Sequence, residues 1–279
     1  MNFKNTLEFA QQLDAQDSLR SYQNEFIFPQ VNNQKVIYFT GNSLGLQPKR
    51  TKTYVDEVMN DWANLAVEGH FYADKPWWDY HERFAAPLSK IVGALPSEVT
   101  VMNTLTVNLH LLMVSFYKPT AKRYKIICEE KAFPSDQYMF QSQVQFHAQN
   151  SGINANDAIV EIKRRDGEHN IRLEDIISKI NEVGDELALV LIGGVNYYTG
   201  QVFDIKTITA AGHKVGAKVG WDLAHAAGNI KLELHDWNVD FAAWCSYKYM
   251  NSGPGNASGC FVHQKHHNDS TLARFAGWW

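Results

Sequence analysis

Residues 219–226 read Val219-Gly220-Trp221-Asp222-Leu223-Ala224-His225-Ala226, an apolar run that ends on an acidic residue. This pattern predicts a buried strand with Asp222 at its carboxyl end. Runs of the same kind occur at 124–128, 159–162, 187–192, 218–222, 241–245 and 259–263. Amphipathic stretches at 173–183 and 205–215 separate several of these runs. The alternation indicates an α/β domain with a mostly parallel sheet.

The first half of the chain has helical patterns. Apolar residues recur mostly at helical spacing over 51–68, and two further helices are predicted over 78–92 and 106–117. In a parallel α/β sheet, ligands bind at the carboxyl ends of the strands. The polar residues that follow each strand are therefore the candidates for a functional site.

Composition excludes several classes of protein. The chain has 279 residues, with 26 Lys and Arg against 30 Asp and Glu, and lacks the basic excess of a nucleic-acid-binding protein. No apolar run reaches the ~18–20 residues of a membrane span. Cys128, Cys245 and Cys260 lie far apart without a CxxC pair. They predict free buried thiols in a cytoplasmic protein, and neither a disulfide framework nor a metal site.

Two strand ends carry groups that are unusual there. Asp222 is costly to bury unless it meets a cation, although a helix-capping or loop-anchoring role would also explain it. Lys248 follows the strand at 241–245 and precedes the glycine-rich turn 251–255. A lysine in such a loop is most often a surface residue. A desolvated lysine, however, can act as a Schiff-base nucleophile, and the nearby strand end with Asp222 favours that interpretation.

Two further segments complete a candidate site. Thr104 and Thr106 open the helix at 106–117, where free backbone N–H groups can bind a phosphate or where the threonines simply cap the helix. Phe133 could stack on a flat ring, although Ser135 could equally be an ordinary cap for a helix that starts near Asp136. Tyr247 could add its hydroxyl to the phosphate site. Together, a phosphate cradle, a ring stacker, a strand-end acid and a reactive lysine fit pyridoxal phosphate (PLP).

The sequence also resembles kynureninase, a fold-type I PLP enzyme related to the class V aminotransferases. The resemblance implies a three-layer α/β/α large domain with a mostly parallel sheet, residues 51–279, preceded by an N-terminal arm and substrate-pocket segment, residues 1–50. It extends over nearly the whole chain. The matching stretches are Tyr38–Pro48, Asn103–His110, Phe133–Asp136, Trp221–Asn229, Ser246–Tyr249 and Ala276–Trp279.

The resemblance implies a role for each matching residue. Lys248 would bind the cofactor covalently and Asp222 would pair with its ring nitrogen, and these two are the catalytic residues. Ser43 and His70 would line the substrate pocket. The implied cofactor-binding set is Leu105, Thr106, Phe133, Pro134, Ser135, Asp136, Asp222, His225, Tyr247, Lys248 and Trp278, the last reaching the phosphate of the partner subunit in a homodimer.

The implied reaction is hydrolysis of L-kynurenine, or of 3-hydroxykynurenine, to anthranilate or 3-hydroxyanthranilate and L-alanine. The chain stops within the family's GWWGH-type stretch, so it is expected to be an N-terminal fragment without the small C-terminal domain. It would then lack the arginine that holds the substrate carboxylate and would not turn over kynurenine alone. The alternatives are another class V enzyme, such as a cysteine desulfurase or an aminotransferase, and a catalytically inert fragment.

Overall fold

The computed structural model describes residues 2–277. The α-helices within this range are α1 (Leu7–Gln16), α2 (Thr51–Leu65), α3 (Gly69–Tyr72), α4 (Ala85–Val92), α5 (Leu105–Phe116), α6 (Pro134–Ser151), α7 (Leu173–Val183) and α8 (Ile205–Lys214). The strands within it are β1 (Phe26–Ile27), β2 (Gln30–Val31), β3 (Gln34–Lys35), β4 (Gln47–Pro48), β5 (Val99–Val101), β6 (Lys125–Glu129), β7 (Ile159–Ile162), β8 (Leu187–Gly193), β9 (Lys218–Asp222), β10 (Phe241–Trp244) and β11 (Gly259–Val262).

A seven-stranded sheet organises the chain in the order β5-β11-β10-β9-β8-β6-β7. Strands β10, β9, β8, β6 and β7 are parallel neighbours, and β11 runs antiparallel to both β10 and β5. The predicted mostly parallel α/β fold is therefore confirmed. None of the helices in residues 2–277 has both the length and the apolar character needed to cross a membrane.

Helices cover both faces of the sheet because the strand side chains alternate between two apolar cores. Ile126 and Cys128 pack with Leu109, Met113 and Phe140 from α5 and α6 on one face. On the other face, apolar residues of the strands pack against α7 and α8. The members of this second core include Ile127, Val190, Trp221, Ile176, Ile180 and Ile208. The result is a three-layer α/β/α arrangement, as the family resemblance implies.

The predicted bounds of the buried helices and strands agree closely with the observed ones, and those in the N-terminal half of the chain agree less well. The predicted strands at 159–162 and 218–222 and the helix at 173–183 have the bounds observed for β7, β9 and α7. The predicted helix at 78–92 is instead a 3-10 turn over Tyr80–Phe84 followed by α4. The division of the chain at residue 50 stays a prediction.

A buried ionic cluster ties the amino end of β10 to its neighbours. Asp240 is 1% exposed and accepts hydrogen bonds from His213 Nε2 at 2.8 Å, from Val219 N at 2.7 Å and from His266 Nε2 at 2.7 Å. Lys265 Nζ lies 3.0 Å from the same carboxylate. Burial acts to raise the pKa of Asp240, but these hydrogen bonds and the lysine charge outweigh it and hold the pKa well below its usual range.

Replacing Asp240 with asparagine is expected to lower the free energy of unfolding at pH 7 by about 1–3 kcal/mol, because it weakens the hydrogen bonds that the buried carboxylate accepts from His213, Val219 and His266. The folded-state pKa of Asp240 is depressed, so its contribution is fully present above the unfolded value of about 3.9 and is lost as the pH falls through the folded pKa. Urea unfolding at pH 7 and below pH 4 should show the difference shrinking in acid. The exposed Asp236, changed to asparagine, is the control. An effect of D240N no larger than that of D236N would show that the cluster is not stabilising.

Candidate active site

A cleft of about 580 Å³ opens at the carboxyl ends of β9 and β10. We call it the lysine cleft. Its lining residues are Asn42, Ser43, Thr104, Leu105, Thr106, Phe133, Ser135, Tyr197, Asp222, Ala224, His225, Cys245, Tyr247 and Lys248. The residues come from six separate segments of the chain, brought together because parallel strands end at one edge of the sheet.

Lys248 is held inside this cleft. Its side chain is buried, and its Nζ donates a hydrogen bond to His225 Nε2 at 2.9 Å. The Phe133 ring centre lies 5.7 Å from the same nitrogen. Burial, and then the charge of Lys248, lower the pKa of His225, so the imidazole is neutral and accepts the hydrogen bond. The lysine amine is therefore positioned by a ring on one side and a hydrogen-bond acceptor on another.

Asp222, which lines the cleft, and Asp136 form a buried carboxyl pair. Asp222 ends β9 and accepts a hydrogen bond from Ala224 N at 2.7 Å. Asp136 lies in the first turn of α6, with Ser135 Oγ at 3.3 Å from its carboxyl group. Burial, together with the charge and hydrogen bond of Asp222, raises the pKa of Asp136 well above its usual range. Two buried carboxyl groups in contact disfavour a second negative charge, so the pair favours holding a proton.

The amino end of α5 faces the cleft with free backbone donors. Thr104 is the N-cap residue, but its side chain makes no capping hydrogen bond, so the first N–H groups of α5 remain available. Leu105 and Thr106 line the cleft at this end. A helix of twelve residues that presents its amino terminus and a threonine hydroxyl can hold a phosphate group.

Tyr247 and Cys245 lie beside each other in the cleft wall. A hydrogen bond between their side chains, and then burial, raise the pKa of Tyr247 to about 12, so its hydroxyl keeps its proton. Burial raises the pKa of the Cys245 thiol. A neutral thiol is a weak nucleophile.

A glycine-containing loop closes one side of the cleft. Gly45 N donates a hydrogen bond to the Tyr247 carbonyl at 2.8 Å, and Asn251 Nδ2 donates to the Leu46 carbonyl at 3.0 Å. A Cβ atom at Gly45 would overlap the Lys248 carbonyl oxygen and lie 2.5 Å from Asn251 Nδ2. The loop over 40–48 therefore needs glycine at this position in order to approach the lysine segment.

Most of the residues singled out in the sequence meet in the lysine cleft. Asp136 lies against Asp222 beneath it, and Pro134 is the first residue of α6 rather than part of the lining. His70 lies on α3, where its ring is 5.5 Å from that of Trp77, and is outside the cleft lining. Trp278 falls outside the described residues. The roles of these residues remain predictions.

Sequence reasoning missed Tyr197, which lines the cleft and packs edge-on against Phe133 with ring centres 5.2 Å apart. It follows β8, so the same strand-end rule that indicated Asp222 applies to it. Asn42 and Cys245 were also missed as lining residues. Asn42 lies within the loop that matches the family, and Cys245 directly follows β10.

The chain is similar to several known proteins. Residues 133–256 match the family model described as aminotransferase class-V. A kynureninase from Flavobacterium johnsoniae is 84% identical over all 279 residues, and this chain covers 65% of that protein. A kynureninase from Christiangramia forsetii is 72% identical with the same coverage. One from Nematostella vectensis is 51% identical over 98% of this chain and 60% of its own length.

Among solved structures, the apo cysteine desulfurase from Thermococcus onnurineus has a TM-score of 0.63 at 19% identity, covering 83% of this chain and 54% of that chain. A C-DES variant with glycine covalently linked to its PLP cofactor also has a TM-score of 0.63, at 17% identity, covering 82% and 57%. Identities this low show the fold alone.

The fold is that of the large domain of fold-type I PLP enzymes. Within that class the chain is a relative of the kynureninases, so the resemblance seen in its sequence is confirmed. It spans about 65% of the length of the curated relatives with highest identity.

Proposed function

We propose that this chain forms the cofactor-binding part of a PLP-dependent kynureninase. The proposed reaction hydrolyses L-kynurenine, or 3-hydroxykynurenine, to L-alanine and anthranilate or its 3-hydroxy derivative. The observation that carries the proposal is the placement of Lys248 Nζ 2.9 Å from His225 Nε2, in the cleft that Asp222 also lines. The high identity to named kynureninases supports the substrate class.

The cleft fits PLP on its own chemistry. The contact between Asp136 and Asp222 favours a shared proton, and a protonated ring nitrogen would offset the negative charge of this pair. The amino end of α5 offers N–H groups and the Thr106 hydroxyl to a phosphate. Phe133 offers a ring face at the cleft wall, and Lys248 offers a primary amine to an aldehyde. When bound, PLP supplies an electron sink for the pair released when a bond at the substrate's α-carbon breaks.

Each residue then has a defined task. Asp222, as a carboxylate, would hold a proton on the ring nitrogen of bound PLP, so that negative charge developing in the transition state would be stabilised. Lys248 Nζ would take and return the proton at the substrate's α-carbon, since its buried amine lines the cleft. Neutral His225 accepts a hydrogen bond from that amine and thereby orients its lone pair. The hydrophobic face of Phe133 excludes water from one side of the ring.

The proposal includes a homodimer in the cytoplasm. Several aromatic side chains on α2 and α3 are exposed, with Trp62 at 62%, Phe71 at 59% and Tyr72 at 73%. Exposed apolar surface of this kind is suited to a protein partner. The three cysteines are free and buried, as expected for a reducing compartment. Light scattering during size-exclusion chromatography would measure the subunit number.

The substrate test uses a full-length form, in which this chain is continued by the remaining part of the Flavobacterium johnsoniae relative. Addition of PLP and L-kynurenine is expected to give fluorescent anthranilate. Turnover of L-cysteine without formation of anthranilate would instead indicate a desulfurase. The raised pKa of the buried Cys245 thiol argues against that second activity.

Changing Gly45 to alanine is expected to weaken PLP binding by at least about tenfold, equivalent to about 1.4 kcal/mol. The added methyl group would collide with Lys248 O and Asn251 and displace the lysine segment. A fluorescence titration with PLP measures the dissociation constant. Gly41→Ala is a matched control, because a Cβ at Gly41 meets nothing within 4 Å. Equal affinities of the two variants would show that the loop contact does not shape the cleft.

A further inference from the structure

Glu129 is a buried acid close to the lysine cleft that the proposed mechanism does not use. It is the last residue of β6 and is 5% exposed. Its two carboxylate oxygens accept hydrogen bonds from Gly193 N, at 3.2 Å and 3.3 Å. Gly193 is in turn the register partner of Asp222 across β8 and β9. Glu129, Gly193 and Asp222 therefore follow one another across three neighbouring strands.

Gly193 has no side chain that would separate Glu129 from Asp222. A Cβ at Gly193 would lie 3.0 Å from Glu129 Oε1, so the glutamate carboxyl group occupies the space that a side chain would fill. Register partners in a sheet direct their side chains to the same face. The carboxyl group of Glu129 thus lies on the face toward which Asp222 points. We call Glu129, Asp136 and Asp222 the carboxyl row.

The groups that face Glu129 are acidic. They are Asp222 on β9, Asp136 on α6 and Glu161 on β7. Burial, and then the charges of Asp222 and Glu161, raise the pKa of Glu129 to about 7, although its backbone hydrogen bonds act in the opposite direction. The neighbouring Cys128 thiol is neutral, because burial raises its pKa well above its usual value.

We propose that Glu129 is a positioning residue for the cofactor: the proton it holds sets the charge that the carboxyl row presents to a cationic ring nitrogen, and so sets the pH dependence of cofactor binding. The inference rests on the proposed function, since PLP supplies the ring. A cation bound beside Asp222 favours the ionised form of Glu129, so binding expels this proton near neutral pH. Proton linkage then requires the affinity for PLP to rise with pH. The rise covers the pH range in which Glu129 is protonated in the cofactor-free protein but ionised in the complex.

The first test compares PLP dissociation constants at pH 6 and pH 8 for the unchanged chain, Glu129→Gln and Glu130→Gln. Glu130 is a matched control, because its carboxylate pairs with Arg164 Nε at 3.2 Å and does not line the lysine cleft. The fall in dissociation constant from pH 6 to pH 8 is expected to be at least about threefold smaller in E129Q than in the unchanged chain. E130Q should keep the full pH dependence. If all three proteins bind PLP and their dissociation constants change equally with pH, the role of Glu129 is wrong. The proposed function would not be affected by that result.

The second test measures the free energy of unfolding in urea from pH 5 to pH 8 without cofactor. The folded pKa of Glu129 lies above its unfolded value, so the stability it contributes is present at low pH and is lost as the pH rises through about 7. E129Q should therefore gain stability relative to the unchanged chain as the pH rises. A difference that stays constant with pH would show that Glu129 holds no such proton. Failure of all three proteins to bind PLP would instead contradict the proposed function.

Discussion

Replacing Lys248 with alanine is expected to abolish covalent retention of PLP and to lower kynurenine turnover in the full-length form by at least about a thousandfold, or about 4 kcal/mol in the barrier. Lys248 Nζ is the amine that the lysine cleft holds against His225. Alanine removes both the bond to the cofactor aldehyde and the group that moves the α-proton. Visible absorbance after dialysis and the rate of anthranilate formation measure the two effects.

Lys131→Ala is the control for this substitution. Lys131 is exposed, lies two residues before Phe133 and does not line the lysine cleft. It should leave both the absorbance and the rate within about twofold of the unchanged protein. If K248A and K131A retained PLP and activity equally well, another amine would have to bind the cofactor.

Asp222→Asn is expected to retain PLP but to lower turnover in the full-length form by about a hundredfold, roughly 2.7 kcal/mol. An amide cannot stabilise a proton on the ring nitrogen as a carboxylate does, so the electron sink is weakened. The substitution removes the negative charge but keeps the local hydrogen bond, because an asparagine oxygen can still accept the bond that Ala224 N donates to Asp222 Oδ1. Steady-state rates of anthranilate formation, measured with saturating PLP, test this expectation.

An asparagine variant with activity within about threefold of the unchanged protein would assign Asp222 only to the turn it caps. Circular dichroism and the PLP dissociation constant serve as controls for folding and for cofactor loading. A variant that fails to bind PLP would give Asp222 a larger part in affinity than in turnover.

Strands that are buried on both faces could be predicted from the sequence. Strands such as β7 and β9 lie between two helical layers, so their residues form short apolar runs with clear ends. The strand-end rule then indicated Asp222 and Lys248 before any contact was known. The amphipathic pattern of α7 was equally direct, since one face packs on the sheet and the other is solvated.

Features that depend on distant segments could not be predicted in the same way. The contact between Asp136 and Asp222 joins α6 to β9. No local sequence pattern predicts the raised pKa that this contact gives Asp136. Tyr197 reaches Phe133 from a loop after β8, a pairing that only the folded sheet creates. The 3-10 turn at Tyr80–Phe84 has the apolar spacing of an α-helix, so the sequence pattern could not distinguish the two kinds of helix.

The most direct test of the central claim is to add PLP to this chain, reduce the complex with borohydride and map the labelled peptides by mass spectrometry. The structure predicts one pyridoxyl label, on Lys248, because its Nζ is the lysine nitrogen that lines the cleft in the described part of the chain. The label should disappear in K248A and remain in K131A. A label on any other lysine, or none at saturating PLP, would contradict the assignment of the lysine cleft as the cofactor site.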